Sequence, residues 1–199
     1  RPSSARSKSE PYTHSTRGVS VEEQLSNNHM DLKQHIRDIP DFPEPGILFK
    51  DITPLLQDPK AFQYTIDCFA EHYQGIKLDS IVAVESRGFI FGAPLAYRLG
   101  KPLIPARKQG KLPGETHVAE YTLEYGSSIM EMHTDGVNSG DQVLLLDDLL
   151  ATGGTLAATA KLVETAGGKV IGAGLLIELA FLDGRSNLGN YDVFSLIQY

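Results

Sequence analysis

The chain has 199 residues, 41% of them hydrophobic and 22% charged, which is enough for one ordinary domain with a real core. Its net charge of −7 argues against a nucleic-acid partner held by bulk electrostatics. No apolar run approaches the roughly 18 residues of a membrane span, the single cysteine (Cys68) excludes an intrachain disulfide and suits a reducing compartment, and the six histidines show no zinc-ligand spacing.

Residues 1–29 are rich in Ser, Arg and Thr, with four basic and three acidic residues against 14 and 22 over residues 31–199. Such a segment buries too little apolar surface to offset chain entropy, so a disordered extension is expected, with an inert role ranked above organelle targeting. One domain is expected over residues 30–199. "DLKQHIRDI" (31–39) reads as a short helix, and "PDFPEPG" (40–46) as a loop, because three prolines and a glycine forbid regular structure. Asp58 and Pro59 then open a helix as N-cap and first helical residue. Phe62, Ile66, Phe69, Ala70 and Tyr73 follow at helical spacing, and Gly75 marks its end.

Beyond it the chain alternates. "SIVAVES" (80–86) reads as a buried strand, "GFIFGAPLAYRLG" (88–100) as a helix and "PLIPARK" (102–108) as a strand. "HVAEYTLEYG" and "SSIMEMH" read as two strands joined by a turn at Gly126-Ser127. "DQVLLLDD", "GTLAATAKLVETAGG", "KVIGAGLLIEL" and "YDVFSLIQY" read as strand, helix, strand and strand. Apolar strands separated by helices imply βαβ units and a mainly parallel sheet.

"VLLLDDLLATGGT" (143–155) carries the chemistry. An apolar strand runs into Asp147 and Asp148, and the turn Ala151-Thr152-Gly153-Gly154-Thr155 leads into a helix. In an open parallel sheet, ligands bind beyond the carboxyl ends of the strands. The turn's backbone N–H groups and the positive end of the helix then face that place. Gly153 and Gly154 let the backbone approach a phosphate, and Thr152 and Thr155 add hydroxyl donors. The carboxylates suit vicinal hydroxyls, so the whole suits a sugar phosphate. The competing reading is a helix N-cap with ordinary turn glycines. The paired acids weigh against it, because neighbouring charges are costly without a positive or hydroxyl-rich partner.

This segment resembles the phosphoribosyl pyrophosphate (PRPP) motif of the type I phosphoribosyltransferases. "IPDFPEPGILFKDITPLL" (39–56), "ESRGFIFGAPLA" (85–96), "ARKQGKLPGET" (106–116) and "YTLEYG" (121–126) resemble the adenine-specific branch of that family, from about Asp31 to Tyr199. The resemblance implies the type I phosphoribosyltransferase fold: a twisted, mainly parallel α/β sheet flanked by helices, with a small N-terminal hood at about 31–57. It implies conversion of adenine and PRPP to AMP and pyrophosphate in a cytoplasmic homodimer. The implied cofactor is Mg2+, carried mainly by PRPP with no direct protein ligand. Alternatives are a purine phosphoribosyltransferase of other base specificity, or a PRPP-sensing regulator without catalysis. An intact Glu124 and a full "ARKQGKLPGET" arm argue against the regulator.

Site roles follow from the resemblance, residue by residue. Asp147, Asp148 and Ala151 to Thr155 would take the ribose and 5′-phosphate. Glu85, Ser86 and Arg87 would form the pyrophosphate loop, with a cis peptide at Glu85–Ser86; alone, "SRG" is a weak signal and a surface Arg the better reading. Arg107 and Lys111 would reach the pyrophosphate from a mobile arm. Glu124 would be the acid/base group toward the adenine imidazole ring, and Tyr125 would help close the loop. By pattern alone a Glu in an alternating strand is usually solvent-facing, and Glu120 is the rival. Leu48, Phe49 and Lys50 match the hood over adenine, with Leu149 on its other side. Many family members have Arg at the position of Lys50.

Overall fold

The computed structural model describes residues 30–122 and 127–199. The disordered extension expected over residues 1–29, and Glu124 and Tyr125, lie outside the described residues. Strands β1 (Arg37–Pro40) and β2 (Leu48–Asp51) form an antiparallel hairpin. Helices α1 (Thr53–Gln57) and α2 (Pro59–Tyr73) follow, then β3 (Ser80–Val84), α3 (Gly88–Leu99) and β4 (Leu103–Lys108). After β5 (Thr116–Thr122) and β6 (Ser127–His133) come β7 (Gln142–Leu150), α4 (Gly154–Thr165), β8 (Lys169–Glu178) and β9 (Val193–Gln198).

The main sheet has seven strands in the order β5-β6-β4-β3-β7-β8-β9. The pairs β4-β3, β3-β7, β7-β8 and β8-β9 are parallel, while β5-β6 and β6-β4 are antiparallel. Its central strands carry long apolar runs, Ile81–Val84 in β3 and Val143–Leu146 in β7, because helices cover both faces. Val82, Val84, Val143, Leu145, Ala173 and Leu175 share a core with Leu156, Leu162 and Val163 of α4. Alternate positions face the other layer: Ala83 and Leu146 lie against Gly92 of α3, and Gly174 against Phe69 and Tyr73 of α2.

Two expectations need correction. Residues 31–39 do not form a helix. Leu32–His35 is a single 3-10 turn with Asp31 accepting from the Lys33 amide at 3.1 Å, and the chain then enters β1. The hairpin register sets Arg37 opposite Asp51 and Asp38 opposite Lys50, giving ion pairs of 2.6 and 2.7 Å. Opposite charges paired across strands favour the hairpin over an isolated helix. The second correction concerns β7, which does not stop at the acid pair. It continues to Leu150, with Asp147, Leu149 and Leu150 aligned with Leu175, Ile177 and Glu178 of β8.

A buried carboxylate closes the far end of β8. Glu178 accepts hydrogen bonds from Arg185 Nε and Nη2 (2.6 Å each), Ser195 Oγ (2.6 Å) and Gln198 Nε2 (3.1 Å). The Arg185 hydrogen bonds outweigh the opposing effect of burial and, with Ser195, the Arg185 charge and Gln198, hold the carboxyl down at about 2, from an ordinary 4.5. A carboxyl depressed in the folded state stabilises it above its ordinary range, and that stabilisation is lost as pH falls toward the folded value. Urea denaturation at a series of pH values should therefore show wild-type stability falling between 4.5 and about 2. Glu178→Gln should lose about 1–3 kcal/mol at pH 7 and show a shallower decline across that window. An equally steep decline in the variant would remove Glu178 as its source.

Candidate active site

The chain leaves β3 toward β4 on one side of the sheet and leaves β7 toward β8 on the other. The gap beyond the carboxyl ends of β3 and β7 is therefore a topological switch point, where open α/β sheets bind ligands. Two helix N-termini converge there. Glu85, Ser86 and Arg87 link β3 to α3, and Ala151, Thr152 and Gly153 link β7 to α4. The first amides of each helix lack intrahelical acceptors and carry positive partial charge. A cavity of about 270 Å³ opens between them. It is lined by Glu85, Ser86, Arg87, Asp147, Asp148, Leu149 and Ala151 to Thr155, together with Lys108, Tyr121 and Met130.

The acid pair sits at its centre. Asp147 and Asp148 are 9% and 4% exposed. Asp147 Oδ1 accepts from the Asp148 amide at 2.8 Å. Gly88 lets α3 start against β7: a Cβ there would stand 2.8 Å from the Leu146 carbonyl oxygen and 3.0 Å from Asp147 Oδ1. That approach sets Arg87 Nε 2.9 Å from Asp148 Oδ2. The contact is an ion pair without hydrogen-bond alignment, and this buried oxygen accepts no hydrogen bond within the protein. Burial, and then the Asp148 charge, push the Asp147 carboxyl well above its ordinary range. Burial also raises Asp148, although the Arg87 charge opposes it. Hydroxyl donors or a cation brought by a ligand would meet acceptors that the fold leaves under-satisfied.

The arm joins the site through a chain of contacts. Arg107 Nε lies 2.5 Å from Glu85 Oε2, and its Nη1 donates to the Lys111 carbonyl at 3.0 Å. The Lys111 and Leu112 amides donate to Glu131 Oε1 at 2.8 and 2.7 Å. Burial alone would raise Glu131, but the amides of Leu112, Gly110 and Lys111 and the Arg107 charge hold it below its ordinary range. Sequence pattern does not reveal this carboxylate, because Met130 and Met132 beside it are buried too and β6 gives no alternation to read there. Lys108 is a second omission. Its neighbour Arg107 engages Glu85, while Lys108 lines the cavity.

The peptide between Glu85 and Ser86 is cis, as the resemblance implies. On the hairpin, Phe49 meets the Phe42 ring edge-on at 5.1 Å, and the Arg87 guanidinium lies 5.2 Å from the Phe49 ring centre. Arg87 thus bridges the acid pair and the hood. Lys50 takes the opposite direction along the strand. It is 7% exposed, with Nζ 2.7 Å from Asp38 Oδ1 and 3.8 Å from the Tyr199 ring centre. Its side chain fixes the hairpin, so a base at Phe49 would find the backbone of Lys50 rather than its ammonium. Leu48 is 49% exposed. Glu120 is exposed on β5 opposite Ile129, as its solvent-facing reading has it.

A carboxyl raised in the folded state destabilises that state as pH climbs above the ordinary carboxylate range. Asp147→Asn keeps the shape and drops the charge. It should keep or raise stability at pH 7 in urea denaturation, while weakening a ribose-phosphate ligand by roughly 10-fold or more, the worth of a charged hydrogen bond. Lost stability with unchanged ligand affinity would contradict both the electrostatics and the binding role.

The phosphoribosyl transferase domain family matches residues 51–197. The adenine phosphoribosyltransferase of Roseiflexus castenholzii is 58% identical over 170 residues, covering 85% of this chain and 99% of that protein. The adenine phosphoribosyltransferase structure from Thermoanaerobacter pseudethanolicus superposes with a TM-score of 0.83 at 57% identity, over 84% of this chain and 98% of the other. The Saccharomyces cerevisiae enzyme, solved with an imino-altritol bisphosphate and adenine, superposes with a TM-score of 0.79 at 44% identity, over 83% and 96%. Identity of this level over nearly the whole length of these relatives, on a shared fold, leaves one conclusion: the chain belongs to the adenine phosphoribosyltransferase family.

Proposed function

We propose that this chain transfers the 5-phosphoribosyl group of PRPP to adenine. The bond from C1′ to the pyrophosphate oxygen breaks, adenine N9 bonds C1′, and the proton on the imidazole ring of adenine leaves. The observation that carries this reading is the buried Asp147–Asp148 pair facing a glycine turn at the sheet's switch point, with Asp148 Oδ2 lacking a hydrogen bond within the protein. The pair takes the ribose hydroxyls. The amides and hydroxyls of Thr152 to Thr155 take the 5′-phosphate. Glu85 to Arg87, at the neighbouring helix start, take the pyrophosphate, joined by Arg107 and Lys111 from the arm. Phe49 and Leu149 flank the base.

Glu124 is assigned the proton by its "LEYG" match. General acid–base assistance of this kind is worth about 10²- to 10⁴-fold. Closure of the arm would exclude water from a cation-like sugar that would otherwise hydrolyse. Mg2+ is proposed as the cofactor, offsetting the negative charge of the pyrophosphate group. Asp147 and Asp148 are hard oxygen donors beside that site, but no group of three or more metal-ligating side chains converges among the described residues. Asp147 or Asp148 would be the side chains here to hold such an ion, which PRPP oxygens would mainly carry. A cytoplasmic homodimer is proposed from family membership. Ile90 and Tyr97, one helical face of α3 and 36% and 91% exposed, are apolar positions that a second copy would cover.

Product formation from PRPP with adenine, hypoxanthine, guanine and xanthine in turn tests the reaction. AMP and pyrophosphate should form from adenine with Mg2+ present, and nucleotide formation from the other bases should be far slower. Preference for another base would transfer the chain to a different purine specificity, and no turnover with any base would favour the regulator. Glu124→Gln should lower kcat by about 10²- to 10⁴-fold in both directions, while Glu120→Gln changes little. Equal, small effects from the two substitutions would remove Glu124 from the chemistry.

A further inference from the structure

Between β8 and β9 the chain makes two 3-10 turns, Ala180–Leu182 and Gly184–Leu188, with Asp183 between them at φ 50°. This segment lies directly against the glycine turn after β7. A Cβ on Gly184 would stand 2.2 Å from the Ala151 carbonyl oxygen, and one on Gly153 would stand 2.4 Å from the Gly184 carbonyl oxygen. Neither glycine admits a side chain, so the two backbones are in reciprocal contact. Asn187 adds the directional element: its Nδ2 donates to the Thr152 carbonyl at 2.7 Å.

That carbonyl shares a peptide plane with the Gly153 N–H. In a planar trans peptide the two point in opposite directions. Holding the Thr152 C=O toward Asn187 therefore turns the Gly153 N–H away from the 3-10 segment. The segment that carries Asn187 is itself tied to the sheet. Arg185 binds Glu178 of β8 through Nε and Nη2 at 2.6 Å and donates from Nη1 to the Val193 carbonyl of β9 at 3.0 Å.

We propose that Asn187 is a positioning residue for the 5′-phosphate, acting through the Thr152–Gly153 peptide without touching the ligand. This rests on the reading of Thr152 to Thr155 as the phosphate cradle. Asn187 sets the affinity for ligands that carry the 5′-phosphate, PRPP and AMP, and leaves adenine and pyrophosphate alone.

The experiment measures KM for all four substrates, in synthesis and in pyrophosphorolysis, with Asn187→Asp, Asn187→Ala and Thr155→Ala. Asn187→Asp is nearly isosteric and sets an acceptor against the Thr152 carbonyl. Asn187 is exposed, so Asn187→Ala serves as a second variant that removes the donor without adding charge. Both Asn187 variants should raise KM for PRPP and AMP by about 10-fold, the worth of one hydrogen bond. KM for adenine and pyrophosphate should stay within about twofold, a split that a general loss of structure does not produce. Thr155→Ala, which alters the cradle itself, should also weaken AMP. If Thr155→Ala weakens AMP and the Asn187 variants do not, the positioning role is wrong and the cradle stands. If none of the three weakens AMP, the phosphate reading fails and the proposal falls with it. If the Asn187 variants weaken all four substrates alike, the residue is structural and the proposal is overturned.

Discussion

Two neighbouring carboxylates stand inside a buried central strand of the sheet, directly after Leu144, Leu145 and Leu146, which have no exposure at all. Removing charge from water at such a place costs several kcal/mol per ion unless partners offset it. The surrounding architecture supplies those partners in part. The Asp148 amide donates to Asp147, Gly88 lets α3 approach β7, and that approach delivers Arg87 to Asp148. The start of α4 follows within a few residues and adds its own positive end. The offset is incomplete, since burial still pushes both carboxyls upward and Asp148 Oδ2 accepts no hydrogen bond within the protein. A site that spends stability on under-satisfied acceptors is matched to a ligand that brings donors and positive charge.

The same arrangement explains how a chain of net charge −7 takes a strongly anionic substrate. Its overall field repels such a ligand, so attraction must be local. Two helix N-termini and the side chains of Arg87 and Lys108 concentrate it at one cavity. The arginines are not bare. Arg87 is held by Asp148, and Arg107 by Glu85. On the proposed function, a pyrophosphate group would exchange these anionic partners for its own oxygens. Arg87 also lies near Phe49, so the hairpin, the acid pair and the β3–α3 link share one guanidinium.

Much of this was legible in the sequence for a physical reason. The parallel core strands are continuous apolar runs, Asp58 and Pro59 cap α2 as their chemistry requires, and the acid pair with its glycine turn is too costly to be incidental. The misses arise where distant residues decide. "DLKQHIRDI" has local helix character, but Arg37 and Asp38 find partners in Asp51 and Lys50, which no local pattern contains. The extension of β7 past the acids depends on pairing with β8. The direction of the Lys50 side chain is likewise set by residues far away in the chain, Asp38 and Tyr199. Glu131 and Asn187 carry no motif, because each acts through backbone groups far away in the chain.

On the proposed function, the end of β7 and the turn after it form one ribose-phosphate site. A structure of the full chain with ribose 5-phosphate tests it most directly. The ribose hydroxyls should lie within hydrogen-bond reach of Asp147 and Asp148, and the phosphate on the amides of Thr152 to Thr155. A phosphate seated elsewhere, or a ribose that leaves both carboxylates without a hydroxyl partner, would contradict it.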